Sequence, residues 1–149
     1  MVRLWDVATG QELPSPPGDA EYVEAVAYSP DGKTLAAGLE WGSGGLRLWD
    51  VASGKVKASL QERVGGLAFS PDNRVLATVG FDGCLRLRRA DDGHVLGAFR
   101  WHQAPIDAVA FSPDGRWLAT GAKEDRVKLW PVEALLSQHG GATDPRSTK

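Results

Sequence analysis

The sequence predicts an all-β fold made of repeated, four-stranded antiparallel units, and three observations carry that prediction. One phrase is written four times, as VRLWDVATG at 2–10, LRLWDVASG at 46–54, LRLRRADDG at 85–93 and VKLWPVEA at 127–134. With Trp5, Trp49, Arg88 and Trp130 taken as equivalent, the steps between copies are 44, 39 and 42 residues. A second phrase, (Tyr/Phe)-Ser-Pro-Asp-(Gly/Asn)-(Lys/Arg), begins at Tyr28, Phe69 and Phe111, with steps of 41 and 42. Two independent markers give one period. A period of about 40–45 residues ending in Trp-Asp is that of a four-stranded β-propeller blade, and such arrays serve as binding platforms.

Within each period the apolar pattern and turn residues divide the chain into strands a to d. The chain opens inside a repeat, at strand c, and 11–18 holds Pro14, Pro16 and Pro17 where strand d belongs. Proline cannot donate to a central ladder, so any strand there is an edge or a loop. In the first full copy, strand a runs over 23–29 and ends at Pro30-Asp31-Gly32. Proline presets one backbone angle of such a turn and glycine accepts the positive one. Strand b follows at 34–39, a Gly-rich loop at 42–45, strand c at 46–51 and, after Ser53-Gly54, strand d at 55–61. The second full copy reads 63–69, 75–79, 84–89 and 94–100, and the last reads 105–111, 117–121 and 126–131. Turn spacing matches the roughly 8–12 residues of an all-β meander. After Trp130, Pro131 replaces the Asp of the phrase; 132–136 fits an outer strand or a short helical turn, and 137–149 reads as a disordered polar tail.

Composition bounds the function. The 149 residues suit one compact domain. A formal charge of −2, with Lys and Arg scattered, supplies no basic field for nucleic acid. A single cysteine, Cys84, excludes an internal disulfide and any multi-cysteine metal site. With no basic and apolar leader and no apolar run long enough to span a bilayer, the expected location is cytoplasmic, with no membrane partner. No nucleophile elbow, P-loop, metal-binding helix or paired-carboxylate spacing is present, so no catalytic residue, metal or cofactor is expected.

The LRLWD and FSPDG phrases closely resemble those of the WD-repeat (WD40) β-propeller family over residues 2 to about 134. The resemblance implies a buried tetrad in each well-formed repeat: His before strand a, Ser or Thr on strand b, Asp before strand c, and the strand c Trp. In the last copy His102, Thr120, Glu124 and Trp130 take the four places, with Asp125 as an alternative acceptor. This reads as a structural network rather than a catalytic one, and it makes Trp130 the residue whose loss should hurt most. The middle copy keeps Thr78 and Asp82 but has Leu60 and Arg88 at the His and Trp places, so its network reads as broken. For Arg88 two outcomes are open: pairing with Asp91 or Asp92, or a packed stem with its head in water, the second being favoured. The first full copy has Asp19 and Ala37 at the His and Thr places and keeps only Trp49.

The expected architecture is an open, partial β-propeller of about three four-stranded antiparallel blades. They divide as an incomplete N-terminal blade at 1–18 and full blades at about 19–61, 62–101 and 102–136. Three a-b-c units cannot close a ring that needs roughly four to eight blades. One bare blade face and free strand edges are therefore expected to make the chain adhesive, and closure calls for further blades or self-association. The a-b and c-d turns at one end are regular and structural. The other end carries Trp41 and Phe81 in b-c loops and Trp101 in a d-a loop, with Glu40, Arg63 and Lys123, and is the expected contact patch for a protein or peptide. The function expected is a non-enzymatic protein-interaction scaffold. The alternative is a regulatory or sensing appendage of a larger multidomain enzyme.

Overall fold

In the computed structural model, residues 2–17, 22–39, 45–100, 102–123 and 126–137 are described. They form four antiparallel sheets in sequence order. A hairpin of β1 (Leu4–Trp5) and β2 (Glu12–Leu13) comes first. Blade 1 follows as β3 (Val23–Tyr28), β4 (Thr34–Leu39), β5 (Leu46–Asp50) and β6 (Val56–Leu60). Blade 2 is β7 (Gly66–Phe69), β8 (Val75–Val79), β9 (Cys84–Arg89) and β10 (Val95–Arg100). Blade 3, among the described residues, is β11 (Ile106–Phe111), β12 (Trp117–Ala122) and β13 (Lys128–Pro131), followed by helix α1 (Val132–Ser137).

The repeat phrases act as turn chemistry. In each Ser-Pro-Asp turn the serine hydroxyl donates to the aspartate: Ser29 to Asp31 at 2.6 Å, Ser70 to Asp72 and Ser112 to Asp114 at 2.5 Å. The same hydroxyl accepts the first amide of the next strand, from Thr34, Val75 and Trp117, at 2.9 Å each. Asn73 takes the left-handed position, at φ 61°, that glycine fills in the other two turns. Its side-chain oxygen accepts the Asp31 amide at 2.9 Å and ties the turns of blades 1 and 2. The Asp of Trp-Asp caps the c-d turn, Asp50 accepting from the Ser53 amide at 2.8 Å and Asp6 from that of Thr9 at 2.7 Å. Pro131 cannot make that cap, and the chain enters α1 instead of an outer strand. Of the two conformations open for 132–136, the helix forms, and it extends through Ser137, one residue into the segment expected to be tail. Residues 138–149 lie outside the described residues.

The Ser-Asp turns give a pH dependence. Hydrogen bonds from Ser29 and Ser112 hold Asp31 and Asp114 below the usual carboxylate range. At Asp72 burial pushes upward, but the Ser70 and Arg74 bonds outweigh it and the net shift is downward. A carboxyl lowered by folding adds stability above its unfolded pKa, and that stability is lost as pH falls through the folded value. Melting temperature should therefore hold steady from neutral pH to about 5 and drop below about 4. Replacing Asp31, Asp72 and Asp114 together with Asn should flatten that acid limb in a series of thermal melts.

The core lies in layers between sheets. Leu46 and Leu48 of blade 1 meet Leu67, Phe69 and Leu76 of blade 2. Leu85 and Leu87 of blade 2 meet Ile106 and Leu118 of blade 3, with Val132 and Leu135 of α1 closing the outer side. On the opposite face of blade 1, Leu35, Ala37, Leu39 and Trp49 are covered by Val2 and Leu4 of the hairpin. On blade 3, Val127, Leu129 and Trp117 are exposed.

Candidate partner-binding face

Strands reverse at every turn, so the b-c and d-a loops share the end opposite the Ser-Asp turns. Around blade 2 that end is tightly built. Gly83, at φ 72°, lies so close to the next repeat that a Cβ there would sit 2.6 Å from the His102 carbonyl. Phe81, in the b-c loop, lays its ring over Gly65 of the d-a loop, whose own Cβ position would be 3.4 Å from it. The Arg63 guanidinium stacks 3.6 Å from the centre of the Phe81 ring. Arg63 also reaches Glu24 of β3 at 3.7 Å, so one side chain joins blade 1 to the loop of blade 2. Phe81 remains 37% exposed in this arrangement. Of the six residues expected to form a contact patch, Phe81 and Arg63 are thus in direct contact, and Lys123 is exposed at the end of the β12 loop. Glu40, Trp41 and Trp101 lie outside the described residues, as do Glu124 and Asp125.

The polar networks under this face differ from blade to blade. In blade 3 the Thr120 hydroxyl is the hub: Trp130 Nε1 donates to it at 3.0 Å and His102 Nε2 lies 2.9 Å away. Three of the expected four members therefore meet. In blade 1 the Trp49 indole donates to the Pro17 carbonyl at 3.0 Å, a backbone substitute for the missing hydroxyl at Ala37.

Blade 2 overturns the reading of a broken network and of an Arg88 whose head reaches water. Arg88 is 2% exposed. Its Nε donates to Thr78 Oγ1 at 3.0 Å, the bond that Trp130 makes to Thr120, and Nη1 donates to the Gly93 carbonyl at 3.0 Å. Nη2 pairs with Glu62. Neither Asp91 nor Asp92 is the partner: Asp91 pairs with Lys57 and Asp92 with Arg89. Glu62 also holds Arg86 Nε at 2.8 Å, and Arg86 reaches Asp82 at 2.6 Å, giving a chain of alternating charge. Burial pushes the Arg88 guanidinium below its ordinary range while Glu62 pulls it back. Burial pushes the Asp82 carboxyl up, but Arg86 and the Cys84 amide hold it below its usual range. Every buried side-chain polar atom among the described residues has a hydrogen-bond partner. Glu62 was missed because it lies 26 residues from Arg88, in the d-a loop two positions past the place the tetrad assigns to histidine.

Among the described residues, no group of three or more His, Cys, Asp or Glu side chains is placed to hold a metal ion, and no helix is long and apolar enough to cross a membrane. The arrangement offers a partly aromatic and charged surface around Phe81 and Arg63.

Comparison with known proteins agrees with this geometry. The family model described as "WD domain, G-beta repeat" matches residues 10–50, 54–88 and 93–131. The chain is 30% identical to Protein groucho of Drosophila melanogaster over 93% of its own length and 20% of that protein. It is also 30% identical to WD repeat-containing protein SL1-17 of Schistosoma mansoni, over 88% of this chain and 44% of that one. Among solved structures, a chain of a mitotic checkpoint complex superposes with a TM-score of 0.75 at 26% identity, covering 87% of this chain and 41% of its own. The WD40 repeats of RRP9 give 0.74 at 19% identity over 80% of this chain and 38% of theirs, a likeness of fold. The chain thus spans less than half the length of each of these relatives. Three matched repeats, an all-β array of antiparallel blades and the tryptophan-centred networks converge: the chain belongs to the WD40 repeat family.

Proposed function

We propose that this chain is a non-enzymatic protein–protein interaction scaffold that presents the loop end of its blades to a protein or peptide partner in the cytoplasm, as part of a ring completed by further blades or by a second copy. The observation that carries the reading is the Arg63–Phe81 stack, an exposed cationic and aromatic anchor that Arg63 ties to Glu24 of blade 1. Aromatic and arginine anchors on a rigid support dominate binding hot spots, where truncation costs about 2 kcal/mol or more. The contact patch adds Trp41, Trp101, Glu40 and Lys123 to that anchor. A structural relative that belongs to a mitotic checkpoint complex supports a recognition role.

Affinity capture with the chain as bait, compared with Phe81→Ala and with a Trp41, Phe81 and Trp101 triple-alanine variant, tests the reading. The proteins enriched by the wild type should fall about tenfold or more with the triple variant, with circular dichroism unchanged. Unchanged capture would move the contact to the turn-lined end or to the blade face. The second reading, a regulatory appendage of a larger enzyme, draws on a relative named as joining WD repeats to a SOCS box, of which this chain covers 22%.

A further inference from the structure

Four serines of the chain precede a proline: Ser15, Ser29, Ser70 and Ser112. The last three belong to the Ser-Asp turns, where each hydroxyl donates to an aspartate and accepts a strand amide. Ser15 is built differently. It lies just past β2 and is exposed, and among the described residues neither its hydroxyl nor its amide makes a hydrogen bond. Pro14, Pro16 and Pro17 surround it, and none of them has an amide hydrogen to give to a ladder. Leu13, Ser15 and Pro16 each precede a proline, which holds them to extended backbone. The segment is anchored at Pro17, whose carbonyl accepts the Trp49 indole at 3.0 Å.

This exposure belongs to the blade plan. β2 follows a strand c phrase, as β6 and β10 do, and β6 and β10 are edge strands of their sheets. A strand preceding β1 would pair on the side of β1 away from β2, so it would leave Ser15 uncovered. Counted from Gly10 and Gly54, Ser15 takes the place of Ser59 on β6, which is exposed in a blade that has all four strands.

We infer that Ser15 is a phosphorylation site, the acceptor for a proline-directed serine kinase. Such a transfer needs a free hydroxyl, a proline directly after it, and a short extended segment that the kinase can hold without breaking a sheet. Ser15-Pro16 supplies all three in the folded chain. Ser15 Oγ attacks the γ-phosphorus of ATP, the bond from that phosphorus to the bridging oxygen breaks, ADP leaves, and the hydroxyl proton passes to the catalytic carboxylate of the kinase. The product carries close to two negative charges at neutral pH, on an edge where no neighbouring strand has to admit them. Ser59 shares the place but not the chemistry: Leu60 follows it, and it is paired with Arg47 in the ladder.

The folded chain, incubated with a purified proline-directed kinase and magnesium ATP and mapped by mass spectrometry over time, should take phosphate first at Ser15. Ser29, Ser70 and Ser112 should lag by about tenfold or more, because each must wait for its turn to open. Ser59 should stay unmodified. Ser15→Ala should remove the fast phase with circular dichroism unchanged. Pro16→Ala keeps the hydroxyl and should slow its modification by about tenfold or more. Synthetic peptides of residues 8–20 and 66–74 should be phosphorylated at similar rates, so that the preference in the whole chain comes from the fold and not from the flanking sequence. A Ser15 left unmodified, a Ser15 no faster than Ser112, or a rate indifferent to Pro16→Ala would each overturn the inference. So would a 66–74 peptide as slow as Ser70 in the folded chain.

Discussion

Glu62→Ala should destabilise the chain by about 3–5 kcal/mol, because it leaves a guanidinium buried without its counter-ion. Arg88 is 2% exposed and its other donors are committed to Thr78 and the Gly93 carbonyl, so no rotamer carries the charge to water without breaking them. Arg86 would lose its second acceptor in the same step, keeping only Asp82. Denaturant unfolding should show the loss as a lower midpoint at unchanged slope. The converse experiment separates cost of breaking from net worth. Arg88→Trp combined with Glu62→Leu installs the indole of the sister copies beside Thr78 and removes both charges, and such exchanges are neutral or stabilising. Arg88→Trp alone should fall between, since Glu62 keeps Arg86 as a partner.

Trp49→Ala should cost about 3–5 kcal/mol, the range for truncating a buried aromatic. Trp49 is 2% exposed, whereas Trp130 is only partly buried, so the residue of greatest consequence shifts from Trp130 to Trp49. The loss has two parts. Leu35, Ala37 and Leu39 lose their packing partner, and the Pro17 carbonyl loses the indole donor that ties the hairpin exit to blade 1. Hydrogen exchange should show the hairpin amides, including Asp6 and Gly10, opening faster in the variant while β8 and β9 stay protected. Equal opening of all blades would show that the hairpin is not a separate unit.

The strand plan was legible because each blade needs an alternating or wholly apolar strand between fixed turns, and both marks are local. The observed β4, β5, β8 and β9 begin and end within a residue of the expected spans. After Trp130 the sequence left an outer strand and a helical turn both open over 132–136, and the helix forms where Pro131 removes the turn cap. What was not legible was pairing across the repeat. Arg88 was matched with acids close in sequence, but its side chain runs back along the sheet face to the d-a loop, where Glu62 waits. Exposed aromatics in loops marked Phe81, yet nothing local showed that Arg63 would stack on it and bridge to Glu24. Such contacts depend on how consecutive blades are set against each other, which no short window contains.

The Ser-Asp turns bear on covalent regulation. Ser29-Pro30, Ser70-Pro71 and Ser112-Pro113 are the dipeptides a proline-directed kinase recognises, and by sequence they form three acceptor sites. In the fold each hydroxyl is already donor to an aspartate and acceptor to a strand amide, and Ser29 and Ser70 are each only 5% exposed. A phosphoryl group there would set close to two negative charges against Asp31, Asp72 or Asp114 and strip the first amide of strand b of its acceptor. Folding thus withdraws Ser29 and Ser70 from kinases, and phosphate at either would mark a chain that was modified before its blades had formed.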